Sequence, residues 1–351
     1  MEDRTKKRLQ ILNPHTRCTH KDTIIISQER VGEVSGFSMR KSTSSELKVG
    51  YISVLVATRN RREDLCRCLS SILANDYENF EVIVVDQSTD RASEEAILRL
   101  ESPRVRYVRH DGVGKSRAVN LGLKYVSGEF LALTDDDCTV PVTWLRHSAA
   151  LLEREPDSGL VCGSMVPVEH DWAKVLIPTK RIERYRKVSG LSGRLRHPSG
   201  TAGGNLFVRT NVFKKLEGYD EELGPGATFH GVEDGDLEYR ALVAGVNVLE
   251  DPDSEVLHWG ARDYESGAAR ELQYRYAFSI GAFMMKHIRC LDPVAPLIFT
   301  RFAFGQLRRV LPSLILGRRP SGAGFLVHFF QGFWKARPWP LDRRMRRFRS
   351  S

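Results

Sequence analysis

Phe130-Leu131-Ala132-Leu133-Thr134-Asp135-Asp136-Asp137-Cys138 is the stretch on which the reading of this chain turns. Four apolar residues and one threonine lead into three adjacent carboxylates. The apolar run is too short for an ordinary helix and is bounded upstream by Gly128, so it predicts a buried strand that ends in acids. Three neighbouring carboxylates repel one another and raise one another's pKa values. A hard divalent cation with oxygen ligands, Mn²⁺ or Mg²⁺, relieves that repulsion and keeps positions open for substrate phosphates. The plainer alternative is a solvated turn whose aspartates cap the helix predicted after it.

The flanking sequence repeats a simple alternation. Residues 51–57, 80–85 and 105–108 are short β-rich runs. Between them, residues 61–75 place Leu65, Cys68, Leu69, Ile72 and Leu73 at helical spacing, and residues 93–100 and 115–126 also predict helices. Strands alternating with helices predict an α/β fold: a central, mostly parallel sheet flanked by helices on both faces. In such sheets ligands bind beyond the carboxyl ends of the strands, which is where Asp86 and the acidic triplet fall.

The second half is less regular. Residues 159–168, 204–208 and 246–249 predict strands, and 233–244 and 270–287 predict helices. Beyond Asp292 come apolar stretches broken by Pro293, Pro296, Pro312 and Gly317, then the aromatic run 324–334 and the basic run 343–349. The expected organisation is a polar, poorly ordered extension over 1–49 with a short strand at 23–27, a catalytic domain over 50–265, and a helical, basic region over 266–351. The catalytic domain divides into a nucleotide-binding half, 50–140, and an acceptor half, 141–265.

The net charge of +9 is unevenly placed. From Arg301 onward there are 12 Lys and Arg against one acid, and residues 1–50 carry 10 basic and 6 acidic side chains. The middle of the chain is therefore acidic, which argues against nucleic acid as a partner. The six cysteines are scattered without a CxxC pair, so a reduced, cytoplasmic compartment is expected. No secretory leader and no membrane-spanning run are read in the sequence.

Further residues stand out downstream. Glu233-Asp234 opens a predicted helix, where acids favour the helix dipole but could also take a proton from an attacking hydroxyl. His258 follows an apolar run, a position more often filled by a packed histidine than by a ligand. An ordered set then emerges: Ala57-Thr58-Arg59-Asn60-Arg61, Val84-Val85-Asp86, Gly114-x-x-Arg117-x-x-Asn120-x-Gly122, Asp135–Asp137, Gly203-Gly204-Asn205, Glu233-Asp234 and His258. This set resembles the family-2 glycosyltransferases, whose fold is the Rossmann-like A-type nucleotide-diphospho-sugar transferase domain. The resemblance covers roughly residues 51–262.

It implies that Thr58, Arg59, Asn60 and Arg61 line a nucleotide pocket and that Asp86 hydrogen-bonds the base. Arg117 and Asn120 would lie near the donor loop. Asp135 and Asp136 would contact ribose or sugar, and Asp137 would be the principal metal ligand, with Asp135 and His258 assisting. Asp234 would be the catalytic base, Glu233 would orient the acceptor, and Gly203, Gly204 and Asn205 would shape the acceptor side. Asp86-Gln87-Ser88 stands where many members carry two acids and a Gly-Ser, which leaves open which nucleobase is bound.

The implied activity is metal-dependent transfer of a sugar, with inversion, from a nucleotide sugar to a hydroxyl of a glycan, lipid-linked or small-molecule acceptor. Glycan, glycolipid or cell-surface polysaccharide synthesis is the expected setting. The basic, aromatic C-terminal region suggests peripheral contact with the inner face of the plasma membrane. Three other readings compete. Gly112-Val113-Gly114-Lys115-Ser116 ends like a phosphate-binding loop of a nucleotide hydrolase, but the first glycine of that pattern is replaced by Arg109. An oxidoreductase would need GxGxxG after the first strand, where Thr58-Arg59-Asn60 sits. A non-enzymatic membrane adaptor would use the basic tail alone.

Overall fold

The computed structural model describes residues 48–196, 203–315 and 322–349. Residues 1–47 of the expected polar extension, including its strand at 23–27, lie outside the described residues.

The first half follows the predicted alternation: β1 (Lys48–Thr58), α1 (Arg62–Leu73), β2 (Phe80–Asp86), α2 (Ala92–Leu100), β3 (Val105–Arg109), α3 (Lys115–Gly122) and β4 (Gly128–Asp135). The predicted helix over 115–126 stops early, and Leu123–Tyr125 tightens into a 3₁₀ turn. Then come β5 (Cys138–Thr139), α4 (Trp144–Arg154), β6 (Ser158–Pro167), β7 (Val175–Leu176), β8 (Arg186–Val188), α5 (Gly190–Arg196), β9 (Leu206–Arg209), α6 (Thr210–Lys215), α7 (Glu233–Val243) and β10 (Asn247–His258). The chain closes with β11 (Arg262–Asp263), α8 (Ala268–Arg289), α9 (Ala295–Ile315), α10 (Ala323–Ala336), β12 (Leu341–Asp342) and β13 (Arg347–Phe348).

The main sheet runs β3-β2-β1-β4-β9-β6-β10-β5, with β8 also paired to β10. Strands β3, β2, β1 and β4 are parallel, as are β6 and β10, while β9 runs antiparallel between β4 and β6. The sheet is therefore mixed, its short strands β5, β8 and β9 opposing the rest. Because β9 reverses direction twice over, β1, β2, β4, β6 and β10 all end on one edge. That edge gathers Thr58, Asp86, Asp135 and His258.

Successive side chains of a strand point to opposite faces, and the core obeys this. Val54, Val56, Val82, Val84 and Ala132 fall in one apolar layer, under α1 and α4. Leu55, Ile83, Val85, Leu131 and Leu133 fall in the other, under α3 and α7. Both sheet faces are covered, so the central strands read as continuous apolar runs rather than as alternations.

A third apolar layer joins α8, α9 and α10 to Phe229 and Tyr239. Helices α8 and α10 cross closely. A Cβ on Gly281 would lie 2.0 Å from the Phe329 carbonyl oxygen, and one on Gly332 would lie 1.9 Å from that of Phe278. Helix α9 runs across Pro296 and Pro312, where the sequence reads as broken. Pro296 sits in the first turn, where the missing N–H has no helical partner to lose.

Beneath α7 lies a fully buried charged network. Lys286 Nζ is 2.8 Å from Asp220 and 2.5 Å from Asp236. Arg240 donates to Asp236 at 2.8 Å, His287 Nε2 lies 2.9 Å from its other oxygen, and the Phe348 N–H donates to Asp220 at 2.8 Å. Burial opposes charge on Asp236, but Lys286 and Arg240 outweigh it and hold the carboxyl far below the usual range. Burial pushes the His287 imidazole down to about 4. Helix α8 is thus bound to α7 through charge as well as apolar contact.

Candidate active site

The acidic triplet is a tight turn. Strand β4 ends at Asp135, Asp136 and Asp137 form the turn, and β5 begins at Cys138. The two residues of β5 pair antiparallel with the end of β10, opposing Cys138 to His258. The Trp259 N–H donates to the Asp137 carbonyl at 2.8 Å, locking the pairing. This ladder brings His258 Nε2 to 3.4 Å from Asp137 Oδ1.

Each carboxylate of the triplet has its own partners. Asp136 accepts from the Thr58 hydroxyl at 2.8 Å and from Arg61 Nη1 at 3.0 Å, and the same Arg61 nitrogen lies 3.0 Å from Asp137. Burial pushes Asp136 up to about 6 despite Arg61. For Asp137 burial works the same way, but His258 and Arg61 prevail and hold it down at about 2. His258 loses charge affinity by burial and regains more from Asp137, so its pKa is raised. Asp135 points the other way, with Lys115 Nζ at 2.6 Å.

Lys115 links two acidic groups. It lies 3.3 Å from Glu233 and 3.7 Å from Asp234, at the start of α7. Burial opposes its charge, yet Asp135, Asp234 and Glu233 raise its pKa well above the ordinary value. Burial and then Asp234 push Glu233 up to about 8. Burial also raises Asp234, against the pull of Lys115. The buried Tyr219 hydroxyl donates to Asp234 Oδ1. A Cβ at position 203 would lie 1.8 Å from Asp234 Oδ2, so only glycine leaves that oxygen unobstructed.

Asp137 Oδ, Cys138 Sγ and His258 Nε2 are the atoms whose spacing could hold a metal among the described residues. Two ligands on one ion with bonds of about 2.1 Å at a right angle stand ~3 Å apart, close to the 3.4 Å between Asp137 and His258. His258 Nδ1–H donates to the Pro178 carbonyl at 2.8 Å, which fixes the ring and turns Nε2 toward Asp137. A Cβ at Gly260 would sit 2.6 Å from His258 Nε2 and 2.7 Å from Asp137 Oδ2, so the space between them exists because residue 260 is glycine. These features fit a hard cation. Cys138 fits it poorly: burial and the neighbouring Asp135 keep the thiol protonated. Asp135, expected to assist, is outside this cluster and bound to Lys115.

The remaining sequence candidates divide. Asn60 has φ 56° and ties the end of β1 to the loop after β2, its N–H donating to Ser88 at 2.8 Å and its Oδ1 accepting from Thr89 at 2.8 Å. Arg59 is exposed. Asp86 is fully buried and accepts from the Ser88 N–H at 2.7 Å and the Tyr107 hydroxyl at 2.9 Å. Arg117 pairs with Glu222 at 3.3 Å, and Asn120 donates to the Tyr219 carbonyl at 2.9 Å and accepts from its N–H at 2.9 Å. These two residues pin α3 to the 219–226 segment. The Asn205 amide is taken up by Trp144 Nε1 at 2.9 Å and by the Ser164 and Ser254 carbonyls at 2.9 and 3.1 Å. Gly204 packs against Cys138 and Met165. Lys115, Tyr219 and Gly260 are absent from the sequence-based set.

The family described as Glycosyl transferase family 2 matches residues 53–217. The matched stretch is 165 of the chain's 351 residues, and it bears out the resemblance read from the sequence. It is 28% identical over 186 residues to the glucosyl-dolichyl phosphate glucuronosyltransferase of Haloferax volcanii, covering 49% of this chain and 57% of that protein. It is 27% identical over 185 residues to a β-monoglucosyldiacylglycerol synthase of a Nostoc species, covering 49% of this chain and 38% of that one. The chain thus spans less than two thirds of either relative. Among solved structures, S. aureus TarS 1–349 aligns with a TM-score of 0.53 at 16% identity over 82% of this chain and 91% of that one. The mannosyltransferase PcManGT of Pyrobaculum calidifontis, in complex with GDP-Man and Mn²⁺, aligns with a TM-score of 0.51 at 19% identity over 82% of this chain and 85% of that one. At these identities the structural likeness concerns the fold alone.

Proposed function

We propose that this family-2 glycosyltransferase moves a sugar from a nucleoside-diphosphate donor to an acceptor hydroxyl, with Asp234 as base and with inversion at the anomeric carbon. The observation that carries the reading is Lys115, which joins the triplet at Asp135 to the Glu233–Asp234 pair. A pair fit for a metal and a pair fit for a base thereby share one cleft edge.

Asp137 and His258 would hold Mn²⁺ or Mg²⁺, which supplies charge for the departing diphosphate when bound. Thr58, Arg59, Asn60, Arg61 and Asp86 would form the nucleotide side, with Asp135 and Asp136 toward ribose or sugar. The acceptor oxygen attacks the anomeric carbon, and the bond from that carbon to the phosphate oxygen breaks with its electron pair leaving on the diphosphate. The acceptor proton passes to Asp234 Oδ2, the oxygen facing Gly203. Tyr219 holds the other oxygen, and Glu233 carries a proton near neutral pH, so repulsion within the pair is reduced. One displacement gives inversion.

The relatives named for dolichyl-phosphate and diacylglycerol carriers favour a lipid-linked or glycan acceptor. Asp234→Asn tests the reading: transfer should vanish while Mn²⁺-dependent binding of UDP-sugars or GDP-sugars persists. Near-normal turnover in that variant would sink it.

A further inference from the structure

Helices α9 and α10 pack their inner faces together, Phe302 meeting Phe329 with ring centroids 4.9 Å apart and Phe299 meeting Phe333 at 5.0 Å. Among the described residues nothing covers their outer faces, which are strongly apolar. On α9 the exposed apolar residues are Leu297, Phe304, Leu307 and Leu311, with Phe304 60% exposed. Positions 297, 304 and 311 repeat every seven residues, which keeps them on one side of a helix over about 21 Å. On α10 Val327, Phe330 and Trp334 are exposed at spacings of three and four, Trp334 at 55%. Lone exposed apolar residues are ordinary, but two stripes on adjoining helices mark an interaction surface.

The charges around the stripes identify the partner. Arg301, Arg308 and Arg309 are exposed on α9, and Lys335 and Arg337 close α10. From Pro293 to Leu341 the sequence contains seven Lys and Arg and no acid. Among the described residues, none of the five exposed cations has an ion-pair partner. A cavity of about 160 Å³ between α5 and α9 has Leu195, Ile298 and Phe302 in its lining and Arg301, Gln306 and Arg309 beside them. A second copy of the chain would bring like charges together with no carboxylate in this region to compensate. No helix among the described residues is long and apolar enough to cross a membrane. A surface that is apolar within and negatively charged at its rim satisfies both the stripes and the arginines, and an interfacial tryptophan suits its boundary.

We propose that the outer faces of α9 and α10 dock this protein on an anionic phospholipid bilayer, the apolar stripes entering the acyl boundary and the arginines meeting headgroup phosphates. The docking stands on this surface; only its consequence, delivery of a membrane-borne acceptor, rests on the glycosyl-transfer reading. Deleting everything after Asp292 would strip α10 from α8, so the test uses outer-face substitutions in the full chain.

Flotation with vesicles of phosphatidylcholine alone, and with phosphatidylglycerol added, should recover about tenfold more protein with the anionic mixture. Arg301→Glu with Arg308→Glu, and separately Phe304→Ser with Trp334→Ser, should each remove that excess. Thermal melting and Mn²⁺-dependent nucleotide binding, measured on the same variants, should not change. Equal recovery on both vesicle types, or undiminished flotation of both variants, overturns the proposal. So does a solution dimer abolished by Phe304→Ser in a chain that binds no vesicle. Loss of nucleotide binding in the parent chain, with vesicle binding intact, would instead count against sugar transfer and leave the docking in place.

Discussion

The two acidic groups of the cleft are built in opposite ways. The triplet is held from above, by residues at the ends of neighbouring strands: Thr58, Arg61 and His258 all reach it directly. The Glu233–Asp234 pair touches Lys115 and Tyr219, but its helix is held from beneath by Lys286 and His287 of α8, which both reach its own Asp236. The first group needs the sheet; the second needs the C-terminal helices. A region that looks appended in the sequence is therefore part of what fixes the proposed base, and the expected boundary at residue 265 divides chain segments that share a buried ion network.

The largest effect should separate the two groups by chemistry. Asp234→Asn is expected to lower transfer at least about a thousandfold with the fold intact, as read by single-turnover rates and circular dichroism. Asp137→Ala should instead reduce Mn²⁺-dependent donor affinity by more than about tenfold in calorimetry. If both variants lost the same property, the division into base and metal sides would be wrong.

A stability experiment sharpens the contrast. Lys286→Met strands Asp220 and Asp236 without their shared cation and should cost about 3–5 kcal/mol in urea unfolding. Arg61→Met, at a half-exposed pair on the triplet side, should cost far less. Equal losses would show that the two groups are supported alike.

The last contrast is a slope with pH. Glu233 is pushed up to about 8 in the fold, so the folded chain keeps a proton there that the unfolded chain loses near the ordinary 4.5. Its contribution to stability is therefore full below about pH 4.5 and fades as pH rises toward 8. Glu233→Gln should flatten that part of the melting-temperature profile in metal-free protein, and an unchanged profile would discount the shift.

Much of this was legible because it is local. Strands β1, β2 and β4 are buried on both faces and announce themselves as apolar runs, and the triplet follows β4 without a gap. Strand β10 was harder: residues 246–249 read as a strand, yet it continues to His258 through Asp251-Pro252-Asp253, where the register with β6 shifts. Polar residues in that irregular stretch mask the strand: Asp251 is buried, but as an acid that bonds His147 at 2.6 Å. Lys115 was visible only as part of an incomplete phosphate loop, because its carboxylate partners lie up to 119 residues away in sequence. Tyr219 and Gly260 carry no local signature, since their roles come from which oxygens they approach.

The two-residue ladder between β5 and β10 also sets an order of events during synthesis. A growing chain that has released only its first 140 residues already carries the three aspartates, but His258 lies 121 residues beyond Asp137. Until residue 258 has emerged the Asp137–His258 pairing cannot form, and the Trp259 N–H then fixes it on the Asp137 carbonyl. Contacts so distant along the chain form slowly. The nascent protein is thereby kept from completing the proposed cation site until residue 258 has been made.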